Sequence, residues 1–474
     1  MDSRREPGPS RGLPLALGLP DLVLFFVTTG TNLQWVAVAA AAGPSSLVVW
    51  LVGCGAMFVP LGYAVISLSS RYPEEGGMYV WSKRAFGDFA GFITGWTYWT
   101  SNLPYFPGVL YFAAANLLFL GGERWLSLSA SPLYFAAFSL LGLGLATALN
   151  LMGLGVEKWL TNAGAVARCL ATLLLVGLGA AAWMTVGSAT DLSLDALRPS
   201  LALKDLVFWS TIAFALTGFE SASFMGEEIR DARRSIPRAI LLSAPLITTL
   251  YVLGTLSVLV ASPPQDVTGL QAVLQAVRSA ASRLGAPALV PLAAALVTLS
   301  ALGSVGAWLA AVARIPFVAG LDRFLPAGFA RLHPRWGSPH VALLTQSGIT
   351  LAFVLLGQAG TSVRGAYEAL VSTTILVTMI PFLFLFAAAV KTAWEPGGKA
   401  APRLPGGPAA VAALSLVGFV TTLGAIVLAA IPAEAEPRKA LAVAKVLGMT
   451  ALMVGSGVAV YATRRRRSLR GPVA

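Results

Sequence analysis

The chain has 474 residues, of which 56% are hydrophobic and only 11% are charged, and its mean hydropathy is +0.75. An average soluble domain is about 25% charged, so this chain could not cover a water-facing surface of its own size. The composition excludes a soluble enzyme, a disordered chain and a nucleic-acid-binding protein, although a net charge of +12 by itself would suit phosphate groups. The sequence therefore predicts an integral membrane protein.

Long apolar runs follow one another along the chain. A hydrocarbon core about 30 Å thick requires about 20 apolar residues in a helix, and the runs are continuous rather than alternating, which favours helices over barrel strands. The predicted fold class is therefore all-α, with twelve transmembrane helices. The runs lie near residues 19–42, 46–69, 88–120, 132–152, 161–186, 205–225, 237–261, 286–312, 339–357, 366–390, 408–431 and 440–463.

The basic residues indicate how these spans are oriented. Twelve spans place both termini on one side, where the loops and tails hold 23 of the 33 Lys and Arg residues; the other side holds 9, and Arg168 lies inside a span. Positive residues mark the cytoplasmic side, so we expect a multi-pass protein of the cytoplasmic (inner) membrane with both termini inside. We interpret the run from Arg464 to Arg467 as a stop-transfer anchor on anionic lipid, rather than as a nucleic-acid patch or a localisation signal.

Two runs contain residues that resist continuous helix. The first carries TTGTN at residues 28–32, and the sixth carries TGFE at residues 217–220. Such residues are poor helix material, and a break in lipid is tolerated only where it is buried in protein or lines a cavity. Paired interruptions in corresponding spans point to a transporter site near the middle of the membrane. The alternative is that Gly30 and Gly218 only allow close helix packing.

An interrupted helix exposes backbone groups that can bind a ligand. The N–H groups at the start of the second half suit a carboxylate, and the carbonyl groups at the end of the first half suit an ammonium group. An α-amino acid carries both groups, so it is the predicted guest. The groups belong to the stretches Val27–Asn32 and Ala215–Glu220.

Two ionisable residues lie inside predicted spans. An acid in a hydrophobic centre is functional by default, and Glu220 is the acid nearest the centre of a span. If the protein couples to protons, Glu220 is the candidate; the alternative is that it accepts hydrogen bonds that hold the interruption open. Arg168 should have a partner or an aqueous cavity, unless it snorkels to the nearby interface.

Three segments resemble a known group of transporters. The segment GFESASFMGEEIRDARRSIPRAI (218–240), together with 303–343 and 69–96, is similar to the amino acid–polyamine–organocation (APC) superfamily, of the bacterial amino acid permease type. The resemblance implies a LeuT-type fold of two inverted repeats of five helices, with helices 1 and 6 broken and two peripheral helices added. The implied parts are a cytoplasmic N-terminal tail (1–18), helices 1–5 (19–186), helices 6–10 (187–390), peripheral helices 11–12 (391–463) and a basic C-terminal tail (464–474).

The resemblance also implies roles for single side chains. Arginine-exchanging members have an aromatic gate at the position of Trp308, an aromatic lid at that of Phe214 and a helix-3 asparagine at that of Asn102. Each side chain also has an alternative role: Trp308 as an interface tryptophan, Phe214 in core packing and Asn102 in an interhelical hydrogen bond. Sodium-coupled members hold sodium between helices 1, 5 and 8; Arg168 is predicted to replace it and to make transport sodium-independent. Tyr367, near the outer end of span 10, is predicted as an external gate.

The predicted function is a secondary active transporter of amino acids that works by alternating access and is proton-coupled or exchanging. The alternative is a polyamine or organocation carrier, which would need carboxylates in its pocket. A polytopic enzyme and a channel are disfavoured, because the sequence offers neither a converging catalytic set nor a polar ring. The predicted substrate-binding residues are Thr28, Thr29, Gly30, Thr31, Asn32, Asn102, Phe214, Ala215, Leu216, Thr217, Gly218 and Phe219.

No cofactor and no metal are expected. Cys54 and Cys169 lie singly in apolar runs, and His333 and His340 have no Cys or acid beside them. The TTGTN stretch departs from the glycine-richer break of many superfamily members, so the resemblance does not transfer their substrate. The preferred amino acid, the choice between symport and exchange, and the oligomeric state stay open at this stage.

Overall fold

The computed structural model describes residues 13–200, 202–357, 363–395, 404–431 and 439–469. Within these ranges the chain is helical and has no β-strand; Leu17 and Ile229 form an isolated extended bridge. The α-helices are α1 (Leu19–Gly30), α2 (Leu33–Ala41), α3 (Ser46–Gly53), α4 (Val59–Arg71), α5 (Met78–Phe86), α6 (Asp88–Leu117), α7 (Glu123–Leu126), α8 (Pro132–Leu151), α9 (Leu154–Val186), α10 (Leu203–Ala215), α11 (Ala232–Ala261), α12 (Ala272–Arg283), α13 (Leu289–Leu321), α14 (His340–Gly357), α15 (Val363–Thr392), α16 (Gly407–Ala429) and α17 (Lys439–Leu469).

Short segments of other helix types complete the described chain. A π-helical turn joins α3 to α4, so the second apolar run is continuous. The 3-10 segments are Leu118–Leu120, Ser127–Ala130, Ser221–Glu228, Pro264–Asp266 and Ala327–Ala330.

Ten helical stretches of the described chain are long and apolar enough to cross a membrane. The predicted sixth and ninth spans give shorter apolar helices, Asp205–Ala215 and His340–Leu355. The sixth is short because helix ends midway through the run, at Ala215. The chain is thus a helical multi-pass membrane protein, as its composition predicts.

Helices α9 and α11 begin at Leu154 and Ala232, before the predicted starts at 161 and 237, so Lys158, Arg233 and Arg234 lie in helices rather than in the predicted loops. The helix boundaries differ from the apolar runs in two further respects. First, α5 and α12 lie in segments predicted as loops, and both are too short to cross a membrane. Second, α13 continues past the predicted end at residue 312 to Leu321. The assignment of Arg314 to a loop is therefore wrong: it lies inside α13 and is 1% exposed, because Glu228 pairs with it there.

The first interruption lies between α1 and α2. Thr31 and Asn32 have extended backbones, with φ −128° and −146°. The Asn32 side chain accepts a hydrogen bond from the Gln34 N–H at 3.2 Å. Asn is a favoured residue at this capping position because its side chain satisfies a free N–H of the first turn. Local chemistry thus both ends α1 and starts α2.

The second interruption separates α10 from the segment Ser221–Glu228. Gly218 has φ +129°, and a Cβ atom on it would lie 2.8 Å from the Thr29 carbonyl oxygen. A residue other than glycine would be strained at this φ, and it would also displace the first interruption. The Ser221 hydroxyl lies 3.1 Å from the Thr29 hydroxyl. The two interruptions therefore pack directly against each other.

Helix α9 approaches α13 very closely, through Gly164 and Gly303. A Cβ atom on either glycine would lie 2.7 Å from the Cα atom of the other. Small residues allow such an approach between membrane helices. One turn beyond Gly164, this contact brings Arg168 beside Ser300 and Ser304.

The end of the bundle at which α1 begins is called here the amino-terminal face. The Leu17 N–H donates to the Glu228 carbonyl at 3.1 Å, and the Gly76 N–H donates to the Phe224 carbonyl at 3.2 Å. The loop 72–77 and the segment Ser221–Glu228 thus lie at this face, whereas α2 and α10 lie on the other side of the interruptions.

Candidate functional site

A small cavity lies where the two interruptions meet. Of the residues that line it, only Tyr105 is more than one-tenth exposed. The cavity is therefore nearly closed off from both faces. Its lining residues are Thr29, Asn32, Trp35, Tyr98, Asn102, Tyr105, Phe214, Ala215, Thr217, Tyr251, Trp308, Thr374 and Thr378.

The described lining is polar but uncharged. Aromatic rings form much of the wall, and hydroxyl and amide groups from several helices interrupt it. Two lining residues, Trp308 and Thr378, have a buried polar side-chain atom without a hydrogen-bond partner in the described chain, Nε1 and Oγ1 respectively. Since an unpaired buried polar group is costly, a guest that pairs with these atoms would be favoured. A neutral guest with both apolar and hydrogen-bonding parts suits this wall.

The cavity brings together about half of the predicted site residues. The lining includes Thr29, Asn32, Asn102, Phe214, Ala215, Thr217 and Trp308. Six others pack behind it: Thr28, Gly30, Thr31, Leu216, Gly218 and Phe219. Tyr367 lies in α15, but its side chain is outside the described part of the chain.

Arg168 is buried, 1% exposed, and it lies against the first interruption. Its Nη1 donates to the carbonyls of Thr28 (2.6 Å) and Thr31, and its Nε donates to the Ser300 hydroxyl at 2.7 Å. Its Nη2 donates to the Ser300 carbonyl at 3.0 Å and to the Ser304 hydroxyl. The side chain does not snorkel to an interface, since it connects α9 with the end of α1 and with α13.

Carbonyl and hydroxyl oxygens form the environment of this guanidinium. Within the described chain, no carboxylate lies within ion-pair distance of Arg168. The guanidinium is thus a cation surrounded by neutral oxygens.

Glu220 is fully buried at the second interruption. Its Oε1 accepts a hydrogen bond from the Tyr98 hydroxyl at 2.6 Å, and its Oε2 accepts one from the Gly218 N–H at 2.9 Å. The carboxyl group therefore connects the interruption to α6. It lies directly behind the cavity wall, because Tyr98 is a lining residue.

Aromatic residues pack against one another around the cavity. Phe214 packs edge-on against Trp35, with ring centroids 5.4 Å apart, and Trp308 packs edge-on against Tyr105 at 6.0 Å. Toward the amino-terminal face, Phe219 stacks on Phe58 (4.3 Å) and meets the edge of Phe26 (5.5 Å). Phe219 belongs to this second cluster rather than to the cavity wall.

Asn102 uses its amide group within its own helix. Its Nδ2 donates to the Tyr98 carbonyl at 2.8 Å, one turn back in α6. This contact is not the interhelical hydrogen bond considered as its alternative role.

Sequence reasoning missed Tyr251, which touches both interruptions. Its hydroxyl accepts a hydrogen bond from the Asn32 N–H at 3.1 Å and donates one to the Ala215 carbonyl at 3.0 Å. Its ring stacks on Trp50 at 4.1 Å. A tyrosine midway along an apolar span is a usable signal, because a buried phenol needs a partner. The other lining residues not predicted are Trp35, Tyr98, Tyr105, Thr374 and Thr378.

Comparison with known proteins places this architecture in a family. A family model described as amino acid permease matches residues 15–454. An uncharacterised transporter of Legionella pneumophila is 27% identical over 435 residues, which are 89% of this chain and 91% of the relative.

Two further relatives carry substrate names. The glutamate/serine transporter AimA of Bacillus subtilis is 26% identical over 72% of this chain and 64% of the relative. The probable agmatine/putrescine antiporter AguD of Lactococcus lactis is 25% identical over 75% of each chain. Because the family model spans nearly the whole chain, the protein belongs to the amino acid permease family of the APC superfamily.

Proposed function

We propose that the protein is a secondary active transporter that moves neutral amino acids across the cytoplasmic membrane by alternating access. The observation that carries the proposal is the closed, uncharged cavity between two interrupted helices. Transporter sites near the membrane midplane are typically built in this way. The family membership supports transport, and the lining chemistry supports the substrate class.

The proposed arrangement is the LeuT type, with five helices in 19–186, five in 187–390 and two peripheral helices in 391–463. The interruptions fall in the first span of each half. A short helix follows the second span of each half, α5 in one and α12 in the other. Both correspondences favour two halves of inverted orientation.

The ends of the half-helices at the cavity can receive a zwitterion. Asn32 lies at the start of α2, where the helix dipole is positive and favours a carboxylate. Ala215 lies at the end of α10, where the dipole is negative and favours an ammonium group. The aromatic wall would then surround the amino acid side chain, with Phe214 and Trp308 as gates.

The proposed ion coupling of transport rests on Arg168 and Glu220, the two ionisable groups behind the cavity wall. Arg168 binds the carbonyls that a sodium ion would need, so the proposed transport is independent of sodium. Arginine is effectively always protonated, which leaves Glu220 as the proposed carrier of a coupled proton. Exchange of substrates is the alternative to proton coupling.

The amino-terminal face is proposed to be cytoplasmic, on the distribution of Lys and Arg residues. Helix α17 ends at this face with the basic run that begins at Arg464. Anionic lipid is the proposed partner of that run.

Polyamine transport is the second candidate, and the name of the Lactococcus lactis relative favours it. A polycation needs carboxylates to offset the cost of burying its charge. Within the described lining there is none, and both oxygens of the nearby Glu220 already accept hydrogen bonds. The described chemistry therefore favours a neutral substrate.

Uptake into proteoliposomes tests the proposal. We expect uptake of a labelled neutral amino acid that is unchanged when choline replaces sodium, and that unlabelled neutral amino acids suppress while putrescine does not. Protein-free liposomes are the control. Suppression by putrescine alone would support the polyamine alternative, and absence of flux for every amino acid and polyamine would contradict transport.

A further inference from the structure

A second buried ionic cluster lies at the amino-terminal face, away from the cavity. Arg314 on α13 is 1% exposed. Its Nε and Nη2 donate to the two carboxylate oxygens of Glu228 at 2.8 and 3.1 Å, and its Nη1 donates to the Ala310 carbonyl at 2.6 Å. A two-pronged contact of this kind fully pairs one guanidinium with one carboxylate.

Glu75, in the loop 72–77, brings another carboxylate to the same guanidinium. Its Oε1 lies 3.9 Å from Arg314 Nε, too far for a hydrogen bond, and has no hydrogen-bond partner in the described chain. Its Oε2 accepts a hydrogen bond from the Glu227 N–H at 3.1 Å. The side chain is 5% exposed. Water therefore barely reaches this carboxyl group.

Among the described residues, Arg314 is the cation that acts on Glu75. From the segment Ser221–Glu228 it faces the carboxyl groups of Glu227 and Glu228, and from α13 it faces Arg314. Buried Glu157 on α9 also acts on Arg314. One guanidinium thus serves Glu75, Glu157 and Glu228.

Three buried acids around one guanidinium favour the binding of a proton to one of the acids. Burying an unpaired carboxylate costs far more than burying a neutral acid, and two carboxylates that share a site cannot both ionise cheaply. Glu75 lies in a loop outside the membrane-spanning helices. Burial, and then the neighbouring Glu228 carboxylate, raise the pKa of Glu75 well above its usual range, against the opposite effect of Arg314.

The burial of Glu75 depends on one particular contact. The loop 72–77 packs against the second half of the interrupted sixth span: a Cβ atom on Gly226 would lie 2.0 Å from the Pro73 carbonyl oxygen. The Gly76 N–H also donates to the Phe224 carbonyl at 3.2 Å. If the segment Ser221–Glu228 moved away, Glu75 would meet water and would be separated from Glu228.

We propose that Glu75 is a proton-binding site that stabilises the closed amino-terminal face. The acid holds a proton while the loop, the segment Ser221–Glu228 and α13 are packed together, and it releases the proton when they separate. This site is distinct from Glu220, which lies behind the cavity and bonds to Tyr98. Only the transport readout rests on the proposed function, because proton binding can be measured directly.

The direction of the pH effect follows from the linkage between proton binding by Glu75 and closure of the amino-terminal face. An acid with a higher pKa in the closed arrangement binds its proton more tightly there. Low pH therefore stabilises the closed face, and this stabilisation is lost as the pH rises through the pKa of the closed form. One proton changes the balance between closed and open by at most about tenfold per pH unit.

Infrared difference spectra of the purified protein test proton binding, because protonated carboxyl groups have their own C=O stretch. As the buffer is made alkaline, we expect wild type to lose a carboxyl band that Glu75→Gln lacks from the start. Glu74→Gln is the matched control: Glu74 is in the same loop, but its side chain is 43% exposed and pairs with Arg84 at 2.5 Å. The control should keep the band.

A second variant covers the case in which Glu75→Gln does not fold. In Glu228→Gln the competing carboxylate is neutral, so Glu75 becomes the main anionic partner of Arg314 and should lose its proton. The same band should then be absent at neutral pH. Identical bands in wild type and in whichever of these variants folds would overturn the proposal.

Transport gives the second readout, in vesicles whose amino-terminal face is exposed to buffer of known pH. Flux through Glu74→Gln should increase as the pH at that face rises, by up to about tenfold per unit. Glu75→Gln should show a shallower dependence, because only the contribution of proton coupling through Glu220 is left. An equal slope in the two variants would overturn the proposal for Glu75 while leaving the transport function intact.

Discussion

The two interruptions meet at one cavity, yet different parts of the molecule satisfy their backbone groups. At the first, the carbonyls of Thr28 and Thr31 accept hydrogen bonds from Arg168, which belongs to α9. At the second, the Gly218 N–H donates to Glu220, two residues further along the same segment. A cation from another helix holds the first interruption, whereas a carboxyl group of its own segment holds the second.

This difference follows the direction of the helix dipole. The carbonyls at the first interruption end α1, and the C-terminal end of a helix is negative and favours a cation. Glu220 precedes the segment Ser221–Glu228, whose N-terminal end is positive and favours an anion. The first interruption should therefore be sensitive to changes on α9, and the second to changes within its own few residues.

The largest effect is expected for Arg168→Ala. Each buried carbonyl left without a donor costs about 1–3 kcal/mol, and the first interruption loses its connection to α9 and α13. We expect transport to be abolished and the melting temperature of the purified protein to fall. Uptake and thermal unfolding measure the two effects.

Two further variants sharpen this test. Arg168→Lys keeps the charge but loses the planar fork, so it should restore part of the stability. Arg278→Ala removes a side chain that is 47% exposed, and it should change neither quantity. Wild-type uptake by Arg168→Ala would show that α9 does not hold the first interruption.

A smaller effect is expected for Gly218→Ala at the second interruption. The new Cβ atom would lie 2.8 Å from the Thr29 carbonyl at a φ of +129°, and such strain costs about 1–3 kcal/mol. We expect weaker uptake and a lower melting temperature. Gly177→Ala is the control, since a Cβ atom there meets nothing within 4 Å; an equal effect of both variants would contradict the close contact of the interruptions.

Tyr251→Phe should affect both interruptions equally, because it removes the hydroxyl that they share. Loss of partners for the Asn32 N–H and the Ala215 carbonyl should cost about 1–3 kcal/mol and raise the KM for substrate. Tyr134→Phe removes a hydrogen bond to the Ala114 carbonyl outside the cavity, and it should leave the KM unchanged. An unchanged KM in Tyr251→Phe would mean that the shared hydroxyl does not shape the site.

The smallest effect on stability is expected for Glu220→Gln, because the glutamine oxygen can still accept the hydrogen bond from the Gly218 N–H and its NH2 group can donate to the Tyr98 hydroxyl. The change removes the ability to gain and lose a proton. We expect wild-type uptake to increase as the outside becomes more acidic, and uptake by the variant to be independent of that pH. A wild-type pH profile in the variant would assign Glu220 a purely structural role.

The spans and both interruptions could be predicted because their causes are local. An apolar run about 20 residues long is sufficient for a membrane helix, and TTGTN carries its own poor helix formers and its own cap in Asn32. Arg168 could also be singled out, since a charge inside an apolar run is conspicuous. A position of its side chain between helices 1, 5 and 8 was expected from the resemblance.

The cavity wall was harder to predict because it is assembled from distant residues. Tyr251 contacts Asn32 across 219 positions of sequence, and Thr378 lies on α15. Arg314 shows the same limit: a basic residue after an apolar run indicates the end of a span, whereas its burial depends on distant acids such as Glu228, 86 positions away. Periodicity carries no information about such pairs.

The hydroxyl of Tyr251 has a mechanical consequence. One oxygen atom ties the beginning of α2 to the end of α10, and the ring behind it lies flat on Trp50. These half-helices cannot spread apart without breaking at least one of the two bonds, so we expect them to move together. Opening of the cavity on that side would then require one concerted movement of α2 and α10 rather than two independent movements.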